Sequence, residues 1–127
     1  METGLSMTKK VKVTEDMLAS NIGSGDVRVL ATPAMIAGIE NVCKECVKDH
    51  IGEGNTTVGT RIEVSHIAAT PLSMEVTYEC ELCAVDGRRI IFNVSARDEK
   101  EVISEGKHER VIVNLEKFQA RADGKIG

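Results

Sequence analysis

TPAMIAGIENVCKECVKDH, residues 32–50, is the stretch on which the fold turns. At 100° per residue Met35, Ile36, Ile39, Val42, Cys43, Cys46 and Val47 fall on one broad arc, with Asn41, Lys44, Glu45 and Lys48 across from it. Thr32 is a residue able to cap, and Pro33 stands at the first helical position, where its missing N–H does no harm. Gly52 is a natural stop. The spacing predicts a helix from Thr32 to about His50, with one face buried against something large.

Downstream, nearly everything reads as strand. Thr57 to Ile67 is the first candidate, ended by Ala68-Ala69-Thr70-Pro71. Ser73 to Val85 alternates, with Met74, Val76, Tyr78, Cys80 and Leu82 on one face and Glu75, Thr77, Glu79 and Glu81 on the other. Asp86-Gly87 is a hairpin turn, Arg88 to Arg97 returns, Asp98 to Glu101 turns again, and Val102 to Asn114 closes the meander. One long helix followed by long antiparallel strands predicts an α+β fold in which a curved sheet wraps a central helix. Upstream, residues 1–10 read as a flexible lead-in to a single domain spanning 11–127. Within it Val11 to Val13 is a short strand-like entry, Thr14 to Asp16 a capped turn, and Asn21 to Asp26 a flexible loop.

Composition narrows the function. A chain of 127 residues with 42% hydrophobic and 28% charged residues suffices for one self-supporting core. Two Phe, one Tyr and no Trp leave that core aliphatic and exclude a nucleic-acid surface built on stacked aromatics. A net charge of −4 supplies no general field for phosphate backbones. No apolar run approaches a membrane span, and METGLSMTKK lacks the apolar stretch of a secretory signal, so a cytoplasmic location without membrane partners is expected.

Cys43-x-x-Cys46 and Cys80-x-x-Cys83 have zinc-like spacing. The first pair lies in the helix and the second in a strand, where positions three apart point to opposite faces, so one thiol must turn away from any shared ion. Reduced buried thiols, with no metal and no cofactor, are the expectation.

Glu40 sits at the edge of the apolar arc. A carboxylate there can reach solvent, pair with a buried cation, or line a cleft where desolvation brings it into the range of a general base. Thr32 is either a simple cap or a hydroxyl at a helix start, where the dipole favours developing negative charge. His66 ends the first long strand and is either a surface residue or part of a site. Gly59 inside a strand suggests close approach of another segment or a ligand. His50 suits a helix C-terminus, and His108 in GKHER carries no signal of its own. There is no G-x-S-x-G, G-x-x-x-x-G-K-[ST], G-x-G-x-x-G or H-E-x-x-H motif.

Taken together, VLATPAMIAGIENVC (29–43), TTVGTRIEVSHIAATPLSMEVT (56–77), VDGRRIIFNVSARDE (85–99) and GKHERVIV (106–113) resemble the hot-dog-fold thioesterases of the fluoroacetyl-CoA thioesterase-like group. The resemblance runs from about Val11 to Phe118, with several segments in order and spacing. It implies a hot-dog fold, a homodimer with a continuous sheet and interfacial sites, and acyl-CoA as substrate. The group's catalytic Thr, Glu and His correspond to Thr32 in ATPAM, Glu40 in GIENVC and His66 in VSHIAATP. Its carbonyl-holding Gly corresponds to Gly59 in TVGTR.

Such a site hydrolyses a thioester to free acid and CoA. His66 would shuttle the proton, Glu40 would orient the pair or activate water, and Thr32 would act as nucleophile or water-positioning group. Arg88, Arg89, Arg110 and Lys107 are candidate partners for the CoA phosphates. The fluoroacetyl-specific enzyme carries a Phe-based lid before its central helix, whereas NIGSGDVRVLA here has no aromatic residue, which favours a different small or medium acyl group. Two alternatives compete: a hot-dog enoyl-CoA hydratase or dehydratase, and a non-catalytic acyl-CoA binding module.

Overall fold

The central helix α2, Thr32–Val47, buries Met35, Ile39, Val42, Cys43, Cys46 and Val47, with Ile36 half-buried, in a computed structural model that describes residues 1–127. The apolar arc is therefore the buried face. The helix ends at Val47, three residues short of the expected His50, because exposed Lys48, Asp49 and His50 bring no apolar surface to hold another turn. At the other end Ala31 is the N-cap and Thr32 is the first helical residue. The Thr32 hydroxyl is thus free of the capping role and available for another partner.

Around α2 curls one antiparallel sheet in the order β1-β3-β4-β5-β2. Its strands are β1 Ser6–Lys12, β2 Asn55–Val64, β3 Glu75–Asp86, β4 Arg89–Arg97 and β5 Val102–Asn114. This is the hot-dog arrangement. Val76, Tyr78, Cys80 and Leu82 of β3 face the helix as the alternation predicted, joined by Ile90, Phe92, Val94 and Ala96 of β4. The β3–β4 hairpin turns on Gly87-Arg88, one residue later than expected, since Asp86 pairs with Arg89.

Gly38 lets the helix lie directly against the Tyr78 ring of the sheet, where a Cβ would collide with Cζ. Glycine costs a helix interior about 1 kcal/mol, less than the ~1–3 kcal/mol of forcing a methyl group into a packed ring. Burial pushes the Tyr78 phenol up to about 12.

Three segments depart from the sequence reading. Ordered sheet begins at Ser6, inside the stretch read as lead-in, because β1 pairs with β3 from Ser6↔Glu81 to Lys12↔Glu75, which sets Lys12 opposite Glu75 and Lys10 at 4.0 Å from the same carboxylate. The turn expected at Thr14 to Asp16 is present as a 3-10 turn, Glu15–Met17, with Thr14 at its N-cap, but α1, Ala19–Ile22, runs into the expected loop, anchored by fully buried Leu18 and its bridge to Leu30. Finally, α3, Leu115–Asp123, was not anticipated. Asn114 accepts a hydrogen bond from the Lys117 N–H at 3.0 Å, and α3 buries no residue, its Leu115 and Phe118 standing exposed at helical spacing.

Cys43 and Cys46 on α2 meet Cys80 of β3, while Cys83 lies apart at the β3 irregularity between Leu82 and Ala84. Hydrogen bonding to Cys80 and burial push the Cys43 thiol far up, and burial pushes Cys46 up to about 12, which keeps both protonated. No group of three or more His, Cys, Asp or Glu side chains is arranged to ligate a metal, and no helix is long and apolar enough to cross a membrane.

Candidate active site

Thr32 Oγ1 lies 2.7 Å from His66 Nδ1, a hydrogen bond whose direction follows the imidazole tautomer. The contact joins the first residue of α2 to the chain just beyond β2, and the first turn of a helix leaves backbone N–H groups free for an anion. Burial lowers the His66 pKa below its usual 6.5, against a weaker upward pull from the Ala68 carbonyl.

Glu40 belongs to a second cluster. It stands eight residues along α2 from Thr32, which at about 1.5 Å per residue is ~12 Å along the axis. Its Oε2 is 3.9 Å from Arg110 Nη1. A Cβ on Gly59 would come within 2.9 Å of the same Oε2 and 3.2 Å of His108 Cε1. A side chain at Gly59 would push the Glu40 carboxylate from this position and crowd the His108 ring. Glu40, Gly59, Thr60, Arg61, Ile62 and His108 line a cleft of about 220 Å³.

Arg110 departs from its expected role as a phosphate partner. It is 5% exposed, with Nε donating to Thr57 Oγ1 at 2.7 Å and Nη2 to the Thr57 carbonyl at 2.8 Å. Its register explains this: Ser104, Gly106, His108, Arg110 and Ile112 share the face of β5 that looks at α2. A cation there survives only with its donors satisfied, and Arg110 spends them inward. Arg89 is half-exposed and pairs with Glu109 at 2.9 Å. Arg88 lines a surface hollow between β5 and α3 together with Lys117 and Arg121. Lys107 flanks Arg61, Glu63 and Glu109 on the other side of β5.

His108, which carried no sequence signal, is 1% exposed at the centre of this cluster. Nδ1 is 2.7 Å from the Arg61 carbonyl, which only accepts, so Nδ1 holds the proton and Nε2 accepts from Arg110 Nη1 at 3.2 Å. Burial, and secondarily the charge of Arg110, lowers its pKa. The available signal was the two-residue spacing that aligns His108 and Arg110 with apolar Ile112.

Both histidines bind protons less readily folded than unfolded. The stability they preserve is complete above the ordinary value of 6.5 and is lost as pH falls through their lowered folded values. The melting temperature is expected to drop on acidification from about pH 7 to about pH 5, and to drop less in His108→Gln, in thermal scans across that range. A flat profile would contradict neutral burial.

The sequence matches the family of fluoroacetyl-CoA-specific thioesterases over residues 13–116. The chain belongs to this family. Among curated relatives, the fluoroacetyl-CoA thioesterase of Streptantibioticus cattleyicolor is 40% identical over 97 residues, 76% of this chain and 70% of that protein. Among solved structures, the fluoroacetyl-CoA thioesterase FlK superposes with a TM-score of 0.93 at 33% identity, covering 98% of this chain and 97% of that one. A variant of FlK in complex with acetyl-CoA reaches a TM-score of 0.95 at 32% identity, with all of both chains covered. A thioesterase superfamily member from Thermus thermophilus gives 0.87 at 25% identity over 96% and 90% of the chains. Thr32, Glu40, Gly59 and His66 all lie within the span that matches the fluoroacetyl-CoA-specific thioesterases.

Proposed function

We propose that the protein hydrolyses small or medium acyl-CoA thioesters to free acid and CoA, using Thr32, His66 and Glu40. The observation that carries this reading is the 2.7 Å Thr32–His66 contact at the start of α2. His66 Nδ1 takes the proton from the Thr32 hydroxyl, or from a water held by it, as the thioester carbonyl is attacked. The first-turn N–H groups of α2 stabilise the oxyanion, the CoA thiolate leaves with a proton returned by His66, and where Thr32 itself attacks, a water then hydrolyses the acyl-Thr32 ester to the free acid. Glu40, held beside Gly59 and Arg110, supplies the carboxylate that orients or activates water. The open hollow of Arg88, Lys117 and Arg121 suits the CoA phosphates better than Arg110 does.

One chain holds Thr32 and Glu40 too far apart to act on one carbonyl. We infer a two-fold homodimer in which the Thr32–His66 half-site of one protomer meets the Glu40 half-site of the other. Support comes from β2, an edge strand carrying Gly59 and the exposed Ile62 beside Glu40. An unpaired edge is a ready surface for a second copy, and two-fold symmetry completes two sites at once. Free cysteines fit a reducing cytoplasm as the setting.

Thiol release from a series of acyl-CoAs of increasing chain length tests the activity. Wild type is expected to turn over at least one, with Glu40→Ala and His66→Ala each lowering kcat by roughly 10²–10⁴ at unchanged melting temperature. Binding of acyl-CoA without turnover in the folded wild type would instead favour a non-catalytic binding module.

A further inference from the structure

Two buried side-chain nitrogen or oxygen atoms in the chain have no hydrogen-bond partner: His66 Nε2 and Ser104 Oγ. They are neighbours across the sheet. The β2–β5 register reaches Val64↔Gly106, and the chain goes on pairing beyond it, with the Ser65 N–H donating to the Glu105 carbonyl at 3.0 Å and the Ile67 N–H to the Ile103 carbonyl at 2.9 Å. Those bonds bracket His66 and Ser104 and set them directly opposite each other. A pair so bracketed is the non-hydrogen-bonded kind, with both side chains on one face and Cβ atoms about 4.5–5.5 Å apart. That face is the core side, since Ser104 is fully buried opposite buried Ala96 of β4.

We propose that Ser104 is a positioning residue for His66: its hydroxyl oxygen accepts the Nε2–H, by rotation about χ1 or across one bridging water, and thereby leaves the Nδ1 lone pair facing Thr32. The proposal rests on His66 acting as the base. A buried imidazole N–H left unpaired is costly, and the bond made by one ring nitrogen decides which tautomer the other presents. With the proton on Nε2, Nδ1 is an acceptor and the Thr32 hydroxyl must donate to it, the direction that proton removal requires. A neutral hydroxyl does this without placing a carboxylate against the ring, in keeping with a His66 pKa lowered by burial. The Ala68 carbonyl pulls weakly on the ring but makes no hydrogen bond to Nε2, so it is the competing acceptor to test.

The three histidines make the test direct. In ¹⁵N-labelled protein, long-range ¹H–¹⁵N correlation reads the His66 tautomer without reference to turnover. Wild type is expected to show the Nε2–H form, with slow exchange of that proton. Ser104→Ala removes one oxygen where alanine fits, and should mix the tautomers, speed the exchange and lower kcat roughly tenfold with KM within about twofold. An Nδ1–H tautomer in wild type overturns the proposal. So does an Nε2–H signal unchanged in Ser104→Ala, which would assign the proton to the Ala68 carbonyl. If no acyl-CoA is turned over, the function fails while the tautomer result still decides the contact.

Discussion

Mixing Thr32→Ala protein with Glu40→Ala protein, each inactive alone, is expected to restore about one quarter of wild-type turnover after subunit exchange. Half of the randomly reassorted dimers are mixed. In each mixed dimer one site collects both lesions, while the other combines an intact Thr32–His66 pair from one protomer with an intact Glu40 from its partner. The reason lies in α2 itself: eight residues of straight helix hold Thr32 and Glu40 about 12 Å apart within one chain, and a helix does not fold back to close that gap. The measurement is thiol release before and after exchange through mild denaturant, with unexchanged mixtures as the control. No recovery after verified exchange would put all three groups in one protomer and remove the interfacial site.

Arg110→Lys is expected to cost about 2–4 kcal/mol of stability and most of the activity, although the charge is conserved. Arg110 contacts Thr57 through Nε and Nη2, His108 through Nη1, and faces Glu40 at 3.9 Å. A lysine offers one compact ammonium on a flexible stem and cannot reach three directions together. It would leave Thr57 or His108 buried without its partner and remove the cation that fixes the Glu40 carboxylate beside Gly59. Urea unfolding and kcat measured on the same preparation check this. A stable, active Arg110→Lys enzyme would mean that only the charge matters.

The helix was legible because its apolar residues recur at helical spacing over sixteen residues, and β3 because its alternation is unbroken through Leu82. Segments lacking such a signal were misjudged. In β1, SMTKKVK has few apolar residues, and only the exposed edge of β3 makes it a strand. In α3 a cap and one apolar pair, Leu115 and Phe118 at helical spacing, are all that nine residues offer, and neither is buried. Among the candidate site residues, Thr32, Glu40, Gly59 and His66 stand out singly, each with a bland alternative beside it. Arg110 stands among the candidate phosphate partners because a strand residue flanked by Glu109 and Val111 gives no hint of which face it takes.

By itself the sequence determined the central helix and its buried face, most of the strands, the aliphatic character of the core and the family to which the chain belongs. The helix, the strands and the core follow from periodicity and composition, which are local properties of the chain, and the family from the resemblance of several segments in order and spacing. Only the tertiary structure decided that Thr32 meets His66, that Gly59 lies against the Glu40 carboxylate, and that His108 and Arg110 turn inward. Each of those depends on strand register, where a shift of one residue sends every side chain to the opposite face. Register is fixed by contacts between residues as distant in sequence as Thr57 and Arg110, which no local pattern records.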